Sequence, residues 1–177
     1  MTCIVGLELG GKVYIGGDSA GVSGLSLCVR ADEKVFVSGP FVMGITDSFR
    51  MGNLLRYKLS PDEQSSTQTD HEFMCTTFVD AVRVCLKDGG YTTVTNGVEQ
   101  GGTFLVGYRG QLYSIQPDFQ VGMSASPFDA VGCGADIALG AMSAITVNDP
   151  TARIEQTLAI AERHCAGVRG PFRVVST

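Results

Sequence analysis

The sequence contains no tryptophan, and only 18% of its 177 residues are charged. Typical globular proteins carry ~25% charged residues, whereas disordered chains combine high charge with few apolar residues. Here 44% of the residues are hydrophobic, so an intrinsically disordered protein is excluded. The length is close to the commonest domain size and no linker or repeat interrupts it. Residues 1–177 are therefore expected to form one domain.

The chain also lacks any cluster of lysine and arginine, and its formal net charge is −5. A nucleic-acid partner needs a basic surface patch, so none is expected. No apolar run approaches the ~18 residues that span a membrane, and no cationic region opens a signal peptide. We therefore expect a cytoplasmic protein with no membrane partner, no metal and no cofactor.

The six cysteines include no Cys-x-x-Cys pair. A chain of this length can build a hydrophobic core without disulfides, so cysteine is not needed as a covalent staple. Cysteine is also one of the most often buried residue types. We therefore expect reduced thiols, most of them buried.

Alternating apolar residues and glycine turns predict β-structure in several parts of the chain. Residues 3–9 and 12–17 form a predicted hairpin through Gly10 and Gly11. Further strands are predicted at 25–30, 34–37, 41–46, 103–108, 111–115, 119–123 and 172–175.

Helical periodicity predicts four helices, at 48–57, from about 70 to Gly89, at 135–146, and after Asp149 and Pro150. Thr69 and Glu72 fit a capping box at the start of the second helix. Its predicted apolar stripe comprises Cys75, Phe78, Val79, Val82, Cys85 and Leu86.

Strands are grouped with strands and helices with helices, which indicates an α+β fold rather than alternating βαβ units. Two sheets that face each other, with a pair of helices outside each, would bury all of these apolar faces. The sequence pattern therefore predicts this layered arrangement.

Three residues near the start of the chain carry candidate catalytic chemistry. Thr2 follows Met1, and a small second residue generally permits removal of the initiator methionine. A terminal threonine holds a hydroxyl and an α-amine, whose ordinary pKa is ~7.7–8.0, on one residue. Lys34 would favour deprotonation of the hydroxyl through its positive charge, and Asp18 would hold that lysine.

These residues complete a resemblance to a known family. The segments that carry it are 1–5, 13–18, 34–35, 130–134 and 158–161. They resemble HslV and the β-type subunits of proteasomes, which are N-terminal-nucleophile (Ntn) hydrolases. The resemblance is strong over about the first 35 residues and looser beyond them. It implies a four-layer αββα sandwich and a threonine peptidase that assembles into rings.

The resemblance also implies a role for each site residue. Thr2 is the expected nucleophile with its own amine as base, Lys34 lowers the pKa of the nucleophile, and Asp18 orients Lys34. Cys133 stands where the family has a serine, and Asp47 stands where the family has a glycine whose N–H forms the oxyanion hole.

The remaining expectations concern the pocket and the partners. Gly21, Thr46 and Arg50 align with the substrate pocket of the family. The implied partners are further copies of the chain in a ring or stacked rings, an ATP-dependent unfoldase, and unfolded polypeptide as substrate.

Two alternatives stay open at this point. The first is an inactive Ntn-fold subunit that forms rings as a scaffold, because Cys133 and Asp47 depart from the family pattern. The second is an Ntn amidohydrolase that acts on a small amide, because the chemistry of a terminal amine would be the same.

Overall fold

Two antiparallel sheets face each other in the computed structural model, which describes residues 1–177. The first sheet has the strand order β12-β1-β2-β13 and the second has the order β11-β10-β9-β6-β5. The strands of the first sheet are β1 (Cys3–Leu9), β2 (Lys12–Gly17), β12 (Phe128–Gly132) and β13 (Arg173–Ser176). The strands of the second are β5 (Val35–Ser38), β6 (Phe41–Ile45), β9 (Phe104–Tyr108), β10 (Gln111–Ile115) and β11 (Val121–Gly122).

Two separate hairpins project from this body. They are formed by β3 (Ala20–Ser23) with β4 (Ser26–Val29) and by β7 (Thr93–Thr95) with β8 (Val98–Gln100). The sequence pattern did not predict β7 and β8, because each is three residues long and holds a single apolar residue, so there is no apolar alternation to detect.

Helices cover the outer face of each sheet. They are α1 (Phe49–Tyr57), α2 (Asp70–Phe73), α3 (Val79–Asp88), α4 (Ala135–Ala144) and α5 (Pro150–His164). One apolar cluster joins α1 and α3 to the second sheet, and another joins α4 and α5 to the first. The predicted αββα arrangement is confirmed. None of these helices combines the length and the apolar character needed to cross a membrane.

A third apolar layer lies between the two sheets. Its members are fully or almost fully buried: Ile4, Val13, Ile15, Val35, Val42, Leu105, Leu112 and Val131. Each sheet therefore has one face toward the other sheet and one face toward helices. Both faces are buried, which explains why the strands are apolar on both sides.

The helix starts follow the local capping signals. The hydroxyl of Thr69 accepts from the N–H of Glu72, and the Glu72 carboxylate accepts from the N–H of Thr69, so the predicted capping box is confirmed. Asp149 caps α5 by accepting from the N–H of Ala152. These caps satisfy N–H groups that have no partner within the helix.

The apolar stripe of the second predicted helix is partly wrong. A π-helical turn, Met74–Phe78, lies between α2 and α3. A π turn inserts an extra residue, which rotates the preceding face relative to a regular helix. Phe73 and Met74 are therefore buried, and Cys75 is exposed.

The prediction that most thiols are buried is also wrong. Only Cys3 is buried, Cys85 and Cys165 are half-buried, and the other three are exposed. All six thiols are free, as expected.

Candidate active site

Strand register brings distant residues to one edge of the two sheets. In the first sheet, Ile4 pairs with Gly17 and Cys3 pairs with Gly132. The residues that follow β2 and β12, namely Asp18 and Cys133, therefore lie beside the start of β1. Lys34 comes from the second sheet, directly before β5.

Thr2, Lys34 and Asp18 form a continuous chain of hydrogen bonds. The Nζ of Lys34 donates to the Oγ1 of Thr2, and it lies 2.8 Å from the Oδ1 of Asp18. All three residues are buried, and the side chains of Lys34 and Asp18 are 3% and 0% exposed. The structure thus brings together the three residues that the sequence spacing singled out.

The carboxylate of Asp18 is fixed by backbone as well as by Lys34. Its Oδ1 accepts from the N–H of Cys3 at 3.0 Å, and its Oδ2 accepts from the N–H of Ala20 at 2.8 Å and of Arg169 at 3.3 Å. Donors on both oxygens hold a buried carboxylate in one orientation. It therefore offers a fixed negative partner to the Lys34 ammonium.

Burial lowers the pKa of Lys34 from its ordinary value, and the charge and hydrogen bond of Asp18 oppose this effect. Removal from water disfavours the charged form of a lysine, whereas a neighbouring carboxylate favours it. Because Asp18 offsets the effect of burial, the ammonium form of Lys34 can stabilise negative charge on the Thr2 hydroxyl.

The backbone nitrogen of Thr2 contacts Cys133. Its N–H donates to the Sγ of Cys133 at 3.2 Å, and that thiol donates to the carbonyl oxygen of Thr2 at 3.3 Å. The N–H of Gly134 donates to the same carbonyl at 3.3 Å. Cys133 and Gly134 therefore hold the backbone of Thr2 from both sides of its Cα.

Asp47 lies two residues after the end of β6 with a φ of 50°, in the left-handed region that glycine occupies readily. Its carboxylate accepts from the N–H of Thr103 at 2.7 Å. The carboxylate of Asp47 is therefore turned toward the backbone directly before β9. The N–H of Asp47 donates to no other group of the chain, so it is free for an incoming acceptor.

A cavity of about 90 Å³ adjoins the threonine. Apart from Thr2, Lys34 and Asp47, it is lined by Met1, Ala20, Val22, Ile45, Thr46, Ser48 and Phe49. Three larger grooves, of about 520, 530 and 630 Å³, lie elsewhere on the surface, and none is lined by Thr2, Asp18 or Lys34.

The three residues aligned with the substrate pocket take different positions. Thr46 lines the cavity, although its hydroxyl donates to the Thr103 carbonyl at 2.6 Å. Gly21 lies between two lining residues on β3 and faces the side chains of Cys28 and Arg30, because neighbouring strand positions point to opposite sides. Arg50 donates to the carbonyl of Gly89 and does not line the cavity.

Sequence reasoning missed two further contributors. The thiol of Cys165 lies 3.4 Å from the Sγ of Cys133, and the N–H of Arg169 supports Asp18. Both belong to the segment after α5, which has no motif of its own. Their place is revealed only by their contacts with Cys133 and with Asp18.

The arrangement suits nucleophilic attack by a hydroxyl. It offers a buried threonine oxygen beside a lysine, an oriented carboxylate, and an unpaired N–H at Asp47. No group of three or more His, Cys, Asp or Glu side chains is arranged to hold a metal ion.

Known structures share this fold over nearly the whole chain. BPH from Thiobacillus denitrificans, in complex with epoxomicin, is 20% identical, with a TM-score of 0.79 over 99% of this chain and 98% of that one. HslV from Trypanosoma brucei is 16% identical, with a TM-score of 0.69 over 99% and 98% of the two chains. Anbu (ancestral beta-subunit) from Yersinia bercovieri is 15% identical, with a TM-score of 0.65 over 99% and 81%.

No protein-family model matches the sequence, and no curated protein is significantly similar to it. The chain has the fold of proteasome-like Ntn-hydrolase subunits, and the predicted four-layer sandwich is the one that these structures share.

Proposed function

We propose that this chain is a threonine peptidase subunit of the proteasome-like type, whose nucleophile is Thr2 after cleavage of the Met1–Thr2 bond. The observation that carries the proposal is the buried chain of hydrogen bonds from the Thr2 hydroxyl through Lys34 to Asp18. Buried lysines and aspartates are rare unless they are paired, and here the pair is directed at a hydroxyl.

Cleavage before Thr2 is required because an amide nitrogen is not a base. Met1 is 56% exposed, so an aminopeptidase can reach it. Met1 also lines the cavity, and its removal would enlarge the space beside the threonine. The amine so released would stand next to the Sγ of Cys133, which now accepts from that nitrogen.

In the acylation step, the free amine takes the proton of the Thr2 hydroxyl while the oxygen attacks a substrate carbonyl. The Lys34 ammonium stabilises the negative charge on the attacking oxygen, and Asp18 holds that ammonium in place. The N–H of Asp47 is available to the oxyanion that forms on the former carbonyl. The ammonium of Thr2 then protonates the leaving amine, which leaves an ester on the threonine.

In the deacylation step, the same amine takes a proton from water, and the resulting hydroxide attacks the ester carbonyl. The acid product leaves and the threonine hydroxyl recovers its proton. Because one group serves first as base and then as acid, no histidine is needed, and neither of the two histidines lines the cavity.

Self-assembly is part of the proposal. The β3–β4 hairpin extends from the body and exposes the apolar side chains of Leu25, Leu27 and Val29. The low charge fraction leaves little to solvate such a surface, which favours contact with further copies of the chain. In a ring, unfolded polypeptide would be the accessible substrate, with an ATP-dependent unfoldase supplying it.

The deciding experiment is reaction with epoxomicin, the ligand of the BPH complex. The protein is treated with methionine aminopeptidase where Met1 is retained, and N-terminal sequencing verifies a free Thr2. We expect one inhibitor adduct on Thr2 by intact mass and peptide mapping, and cleavage of unfolded casein that the inhibitor abolishes.

Two variants make this test specific. Thr2→Ala should give neither adduct nor cleavage, because it lacks the nucleophile. Thr157→Ala removes another buried threonine, whose hydroxyl donates to the Arg153 carbonyl, and should still react. A free Thr2 that never reacts would overturn the proposal in favour of the inactive scaffold. Hydrolysis of small amides without cleavage of casein would favour the amidohydrolase instead.

A further inference from the structure

Two thiols lie in contact beside the candidate nucleophile. The thiol of Cys165 donates to the Sγ of Cys133 at 3.4 Å, and no other hydrogen bond in the structure joins two thiols. Cys133 is exposed and Cys165 is half-buried, so small oxidants reach the pair. The other four cysteines have no thiol within hydrogen-bonding distance.

We propose that Cys133 and Cys165 form a reversible disulfide, which is an oxidation site coupled to the nitrogen of Thr2. The pair is separated by 32 residues in sequence and joins the loop before α4 to the end of α5. The link would therefore connect two helices that already pack against each other on the first sheet.

Both cysteines lie at the ends of regular elements, Cys133 directly after β12 and Cys165 directly after α5. A disulfide requires a separation of about 2.04 Å, so the sulfurs must move closer by rotation of their side chains. Cys133 lies between Gly132 and Gly134, outside strand and helix, and Cys165 is the residue that ends α5. No helix or strand follows Cys165 until β13, so the backbone on this side of the pair is not held in a regular element.

The Thr2 nitrogen sets the reactivity of this pair. Burial raises the pKa of Cys133, and the hydrogen bond from the Thr2 N–H opposes this effect. Cleavage of the Met1–Thr2 bond would replace that amide with an amine at the same position, 3.2 Å from the sulfur. A protonated amine there favours the thiolate, which is the form that oxidants attack.

Hydrogen peroxide is a sufficient oxidant, and the reaction balances with two thiols. The Cys133 thiolate attacks one peroxide oxygen, the O–O bond breaks, and hydroxide leaves as water after protonation, giving a sulfenic acid. The Cys165 sulfur then attacks the sulfenic sulfur, the S–O bond breaks, and a second water leaves. Overall, two thiols lose two hydrogens and two electrons, and one peroxide becomes two waters.

The link would change the surroundings of the nucleophile. Cys133 now donates its S–H to the Thr2 carbonyl and accepts from the Thr2 nitrogen. A disulfide has no S–H to donate, and its sulfur would be drawn toward Cys165. This consequence for catalysis rests on the proposed function, whereas formation of the link does not.

The test treats the intact protein, with Thr2 free, with hydrogen peroxide and maps its peptides without reduction. We expect a linked peptide pair that contains Cys133 and Cys165, with the loss of two hydrogens and reversal by dithiothreitol. Cys165→Ser should give no link, and its Cys133 should advance to the sulfinic acid, which dithiothreitol does not reverse. The control Cys28→Ser removes an exposed cysteine without a thiol neighbour and should still form the link.

Activity provides a second readout. If Thr2 reacts with epoxomicin, the linked protein should react more slowly, on the order of tenfold or more, because small displacements at a reacting group are costly. Reduction should restore the rate. A linked peptide through Cys3, a link between two chains, or oxidation of Cys133 without any link would each overturn the proposal. Formation of the link in a protein that does not react with epoxomicin would overturn the proposed peptidase but leave the oxidation site standing.

Discussion

Cys3 illustrates how strongly a single position responds to its surroundings. Its thiol is fully buried next to the candidate nucleophile, and its N–H donates to Asp18. Burial, together with the negative charge of Asp18, raises the pKa of Cys3 to about 12. The thiol therefore stays protonated near neutral pH, although it directly follows Thr2.

This shift predicts how stability depends on pH. The pKa of Cys3 is higher in the folded than in the unfolded state, so the folded state binds more protons and its stability falls as pH rises above the ordinary thiol pKa. Relative to Cys3→Ala, the wild type should lose about 2 kcal/mol of unfolding free energy between about pH 8 and pH 10.5.

Urea unfolding at the two pH values measures this difference. The substitution also removes a buried sulfur, but that cost is the same at both pH values and cancels. Parallel pH profiles of the wild type and Cys3→Ala would show that the thiol is not protonated preferentially in the folded state.

At the scale of elements, the turn from β12 into α4 positions the backbone of Thr2. Gly132 has a φ of 101°, which residues other than glycine rarely adopt. A Cβ at this position would also collide with the Thr2 carbonyl oxygen. The short connection to α4 therefore depends on glycine, and Cys133 reaches Thr2 because of it.

Gly132→Ala should destabilise the protein by roughly 1–3 kcal/mol through backbone strain, with further loss from displacement of Thr2. Its reaction with epoxomicin should slow as well. The matched control is Gly140→Ala in α4, where an added Cβ meets no atom within 4 Å. That variant should gain roughly 0.5–1 kcal/mol, because alanine favours a helix interior.

The stability of both variants is measured by thermal or denaturant unfolding, and their rates of reaction with epoxomicin are measured in parallel. Equal stability of the two alanine variants would contradict the assignment of strain to Gly132. Loss of stability with an unchanged inhibitor rate would show that the turn supports the fold but not the site.

At the scale of the whole molecule, the site exists only because the two sheets are held face to face. Thr2, Asp18 and Cys133 adjoin strands of the first sheet, whereas Lys34 and Asp47 adjoin strands of the second. The apolar layer between the sheets therefore fixes the distance from the hydroxyl to the lysine. The same apolar layer therefore supports both the geometry of the candidate site and the stability of the whole domain.

Leu105 lies in this layer and is fully buried. Leu105→Ala should lower the unfolding free energy by roughly 2–5 kcal/mol, because the deleted methyl groups leave a cavity. Leu105→Met keeps most of the volume and should cost less than ~1.5 kcal/mol. Urea unfolding measures both, and equal losses in the two variants would show that packing volume in this layer does not limit stability.

Local sequence determined most of the elements and the spacing of the three central residues. The β1–β2 hairpin, the capping box at Thr69 and the start of α5 all follow from interactions within a few residues. The predicted apolar stripe of the second helix was partly wrong, because helical periodicity does not reveal the π turn at Met74–Phe78. This turn leaves Cys75 exposed.

Tertiary structure alone decided which side chains meet across long sequence separations. The turn of the Asp47 carboxylate toward Thr103, the position of Arg50 outside the cavity and the contact of Cys133 with Cys165 are of this kind. Each depends on the register of strands and the packing of helices, which bring together residues far apart in the chain. The sequence by itself therefore determined the candidate chemistry of Thr2, whereas the folded sheets decided what surrounds it.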